Sequence, residues 1–126
     1  MELETIKEKR KKSISELERA KINVDYIQIQ LRKNLEYIND ISKILKNKKS
    51  RINSFNYIKA NCYYNKFYED EMKLVERRKE EYSHLYEEAI LKRKILKLKL
   101  KQAQRKFSKR QKSNIKFEKK YFNVEV

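Results

Sequence analysis

Only a few side chains in this sequence have types that could do covalent or metal chemistry. His84 is the one histidine and Cys62 the one cysteine. A nucleophile pair needs its thiol within hydrogen-bond reach of a base, and a zinc site needs three or four converging ligands. One residue of each kind falls short of a metal site, and a long helix would keep the two apart. The carboxylates Glu80-Glu81 and Glu87-Glu88 occur as sequence neighbours. Successive residues of a helix point about 100° apart, so each doublet splays instead of lining one cavity. No cofactor, metal site or enzymatic activity is expected from these residues. Ion pairing is the chemistry the sequence does favour. Residues 91–126 hold fourteen Lys or Arg against Glu118 and Glu125, a net +12 out of a total of +16. Residues 66–90 carry eight acids against five bases, a net −3. Clustered cations repel one another unless an acidic surface compensates them, so an acidic partner is expected near the chain's basic end.

The elements that carry these residues follow from what is missing. The 126 residues include no Gly and no Pro. Tight hairpin turns, phosphate-binding loops and nucleophile elbows all need glycine where backbone bends sharply or approaches a ligand. Those folds are excluded, and long helix remains. With 39% apolar and 41% charged residues, a narrow buried seam is more plausible than a packed globular core. High net charge with low hydrophobicity also favours disorder, so periodicity has to decide. Steps of three and four from Leu3 give Leu3, Ile6, Arg10, Ser13, Leu17, Ala20, Val24, Ile27, Leu31, Asn34, Ile38, Ile41, Leu45, Lys48, Ile52 and Phe55. Twelve of these sixteen are apolar. The same walk backward from Tyr121 passes Phe117, Asn114, Arg110, Phe107, Ala103, Leu100, Leu96, Arg93, Ala89, Tyr86, Tyr82, Lys79, Val75, Met72 and Tyr68. Again twelve of sixteen are apolar. Two heptad seams of this length argue for order.

The expected fold is all-α: a single antiparallel two-helix coiled-coil hairpin in one domain, residues 1–126. Its first helix spans about 2–57, its turn lies near 58–65 and its second helix spans about 66–122, for a rod of roughly 80 Å. Pairing residues whose numbers sum to 123 or 124 sets Leu3 against Tyr121, Ile6 against Phe117, Val24 against Leu100 and Ile27 against Leu96. It also sets Arg10 against Asn114, Ser13 against Arg110 and Asn34 against Ala89. Leu31 with Arg93 and Leu45 with Lys79 are poorer layers, where basic stems could lie along the seam and lift their charges out. In the absence of glycine, Asn56, Asn61 and Asn65 are the residues best able to end a helix in the left-handed conformation. The reversal is therefore placed near Asn61. Tyr57, Tyr63 and Tyr64 cluster around it, a composition suited to protein contact. The N-terminus lacks the apolar region of a signal peptide, and no uninterrupted apolar run exceeds three residues, so neither export by that route nor direct membrane insertion is expected. A lone cysteine agrees with a reducing, cytoplasmic setting.

A small, basic chain without Gly or Pro that forms one antiparallel two-helix coiled coil resembles the central stalk of type III secretion and flagellar export ATPases, the FliJ/YscO-type family. The likeness covers the whole chain. Its nearest local feature is the basic run Arg105-Lys106-Phe107-Ser108-Lys109-Arg110-Gln111-Lys112 ahead of a short amphipathic tail. The resemblance implies a cytoplasmic protein peripheral to the inner-membrane secretion apparatus. Its end bearing both termini would enter a hexameric secretion ATPase and stimulate it, while its turn would point to an export gate protein. Lys97, Lys101, Arg105, Lys109, Arg110 and Lys112 would meet the ring, and Asn61, Tyr63 and Tyr64 the gate. Two other readings fit the same composition. One is a sequence-independent nucleic-acid-binding coiled coil acting through phosphate neutralisation. The other is a secretion chaperone or scaffold coiled coil.

Overall fold

The computed structural model describes residues 2–61 and 66–122. They form two helices, α1 (Leu3–Asn61) and α2 (Lys66–Phe122), that pack on each other as an all-α hairpin. Among the described residues there is no strand. Residues with good helix propensity fill both segments and nothing interrupts the backbone hydrogen bonding. Glu4 in the first turn of α1 and Lys119 and Lys120 in the last turn of α2 complement the helix dipoles.

Contacts divide the chain into two compact halves. One is built from Met1–Leu31 with Ile95–Val126, the other from Arg32–Lys94. In the first, Val24, Ile27 and Ala103 are buried together, flanked by Leu31, Leu100 and Phe107. In the second, Ile38, Ile41, Val75 and Ala89 are buried. Every buried residue of α1 lies on the seam expected from the heptad walk, and so does every buried residue of α2 except Glu118. Asn34 is buried on that seam and its Nδ2 donates to the carbonyl oxygen of Ala89 at 3.1 Å. The bond realises the expected Asn34–Ala89 layer.

Near the termini the polar side chains bond to residues about one helical turn from the partners expected of them. The Asn114 amide donates to the Ser13 hydroxyl at 3.2 Å, Arg110 reaches Glu16 at 2.6 Å and Arg10 reaches Glu118 at 2.8 Å. These pairs have numbers summing to 126–128. Each polar group instead meets a complement: amide with hydroxyl, guanidinium with carboxylate. The first helix also continues to Asn61, past the expected end near 57, with Asn56 inside it. Leu3, expected opposite Tyr121, stays exposed.

Candidate partner-binding surface

Helix α2 positions all six cations assigned to partner contact. Lys97, Lys101, Arg105, Lys109, Arg110 and Lys112 are exposed, because the heptad walk that buries Leu96 and Ala103 leaves most of their positions off the seam. Arg110 is the exception: it sits on the seam walk, and its Nη1 engages Glu16 of α1. The ion pairs among the described residues, Arg10–Glu118, Lys73–Glu69 and Arg110–Glu16, leave the other five cations facing solvent. Their charge is thus available to an acidic surface, whereas that of Arg110 is already shared.

The far end is described in part. Asn61 is the last residue of α1. Tyr63 and Tyr64 lie outside the described residues, as does Cys62. Tyr57 is exposed on α1, and at the start of α2 Phe67 is exposed and meets Tyr68 edge-on, with ring centroids 5.7 Å apart. Solvent-facing rings on both helices thus flank the segment that carries the tyrosines.

The side chains considered for catalysis occupy an open surface. His84 is exposed and lines a shallow groove of about 400 Å³ with Ile52, Glu76, Lys79, Glu80 and Glu87. Ser83, its neighbour, donates its hydroxyl to the carbonyl of Lys79 at 2.9 Å. Glu81 and Glu88 do not line this groove, which agrees with the splay expected of each doublet. Among the described residues no group of three His, Cys, Asp or Glu side chains is placed to hold a metal ion.

Two features were not anticipated from the seam. Glu118 lies one position off it and is only 7% exposed, its Oε1 accepting the Nε–H of Arg10. The Arg10 guanidinium carbon also stands 4.0 Å from the centre of the Phe122 ring, and Phe122 packs with Phe117. This cation–π contact and ion pair together tie the ends of the two helices. The second feature is a set of large apolar residues exposed on the outer surfaces, among them Ile22, Tyr26, Ile29, Leu91, Ile95 and Leu98. Their spacing of i, i+4 and i+7 in each helix was the available signal.

No family model, curated protein or solved structure matches the chain. Among the described residues, no helix is long and apolar enough to cross a membrane.

Proposed function

We propose that this chain is the non-enzymatic central stalk of a type III secretion system. Its basic terminal end inserts into a hexameric ATPase and stimulates it, and its turn reaches the export gate, on the cytoplasmic side of the apparatus. The observation that carries the reading is the exposure of Lys97, Lys101, Arg105, Lys109 and Lys112 on one segment of a two-helix hairpin, outside the ion pairs of the described residues. A hairpin offers different faces around its circumference, so six identical subunits surrounding it cannot all make the same contacts. Subunits in different nucleotide states would be stabilised unequally, and a differential of about 1–3 kcal/mol is the ordinary scale of such coupling. Asn61, Tyr63 and Tyr64 belong to the gate contact in this proposal.

Ring binding tests the assignment. Replacing Lys101, Arg105 and Lys109 together by Glu reverses three solvent-facing charges that support neither the seam nor an ion pair. With rim charges worth roughly 0.5–1 kcal/mol each, binding of the secretion ATPase to immobilised chain should fall about tenfold or more, with helicity unchanged. Unchanged binding would remove the basic segment from the interface.

A further inference from the structure

Heptad seams account for one face of each helix, yet α1 carries a second apolar row. Ile22, Tyr26 and Ile29 follow the i, i+4, i+7 spacing of one helical face and are 66%, 59% and 43% exposed. Helix α2 adds Ile95 and Leu98, also exposed, in the same half of the chain. Scattered apolar residues on a surface are ordinary, but an exposed ring on the wall of a groove with a buried apolar floor marks a contact. Tyr26 lines such a groove, an open cleft of about 410 Å³ whose floor is Ile27, Leu96 and Ala103 and whose rim includes Lys99 and Lys106. Ile95 is one turn before Lys99, and Leu98 one turn before Gln102, another lining residue. The α2 pair therefore continues the groove wall.

We infer that this groove receives an acidic amphipathic helix of a partner protein, packed along the hairpin as a third helix. Apolar side chains at i, i+3/i+4 and i+7 of that helix would fill the cleft against Tyr26, Leu96 and Ala103. Lys99 and Lys106 are one heptad apart, roughly 10 Å along the axis, which matches carboxylates at i and i+7 of the incoming helix. Charge selects this occupant over a second copy. The half that bears the groove holds eighteen Lys or Arg and eight acids, a net +10, so self-docking through this face brings like charges together. Phosphate-rich partners would satisfy the lysines but leave the apolar row uncovered.

The inference goes beyond the stalk reading, because the groove binds its helix in the isolated chain with no ATPase present. It is tested with the full chain and a fluorescein-labelled peptide of about 21 residues, Leu at the a and d positions and Glu at the flanking ones, by fluorescence anisotropy. Saturable binding is expected, weakened about tenfold or more by Tyr26→Glu and separately by the pair Lys99→Glu and Lys106→Glu. These side chains are off the seam, so circular dichroism should show all variants equally helical. A scrambled peptide of the same composition, and one with Lys replacing Glu, should bind far less. Equal binding of the scrambled peptide, or unchanged affinity after Tyr26→Glu, would overturn the inference. So would self-association of the chain that Tyr26→Glu abolishes, since the groove would then belong to a second copy.

Discussion

Arg10→Met should destabilise the hairpin through the carboxylate it leaves behind. Glu118 has a side chain only 10% exposed, and its Oε1 accepts the Arg10 Nε–H at 2.8 Å. Its Oε2 is buried with no hydrogen-bond partner among the described residues, so the guanidinium is what compensates the charge there. Breaking a fully buried pair costs about 3–5 kcal/mol, and an exposed one is worth about 0–1. The Arg10 side chain is 40% exposed, which places this case between the two, at about 2 kcal/mol. For a domain of this length each kcal/mol moves the midpoint by about 4 °C, so the melting temperature should drop by roughly 8 °C. Methionine keeps an apolar, polarisable contact with Phe122, which narrows the loss to charge and hydrogen bonding. A double-mutant cycle with Glu118→Leu, followed by thermal melts at 222 nm, isolates the pair. A coupling energy of about 1–2 kcal/mol is expected, and the double variant should recover much of the loss because no lone charge remains buried. A coupling near zero, or an Arg10→Met protein as stable as the parent, would refute this account of the helix ends.

Asn34→Leu should raise stability by about 1 kcal/mol, because it replaces a buried amide whose Oδ1 has no partner among the described residues with a side chain suited to the seam. Denaturant unfolding measures the change, and a loss of stability would mean that the bond to Ala89 outweighs the burial of the amide. Ile41→Ala removes one of the most buried side chains, 3% exposed, and should cost about 2–4 kcal/mol by the same assay, whereas Ile22→Ala on the exposed face should cost under about 0.5. Titration of the chain with duplex and single-stranded DNA at two salt concentrations separates the stalk from a phosphate-binding coiled coil. Tight binding with a log–log salt slope near about −5 would favour the latter, and the stalk reading expects only weak binding that disappears by physiological salt.

The fold was legible in the sequence because one signal dominated it. Without Gly or Pro nothing competes with helix, and a heptad repeat then fixes which face is buried: Ala20, Val24, Ile27, Ile38, Ile41, Val75, Ala89, Leu96 and Ala103 all fall where the walk puts them. Helix ends were less legible for the same reason. Asn56 can end a helix, but so can Asn61, and no breaker distinguishes them; α1 passes through the first and extends to the second. Glu118 could not be found from local pattern, since an acid off the seam reads as a solvated residue until the opposite helix brings Arg10 to it. The basic pole was plain as a charge run, yet the pairing of Arg110 with Glu16 depends on the register and was hidden. The outer apolar row was readable from its spacing, but the stronger seam obscured it.

ATP hydrolysis by a hexameric type III secretion ATPase, measured in steady state with increasing amounts of this chain, tests the central claim most directly. Stimulation that saturates near one chain per hexamer, and that is lost when Lys101, Arg105 and Lys109 are changed to Glu, is the expected result. A rate unaffected by the chain, or raised equally by the charge-reversed variant, would contradict it.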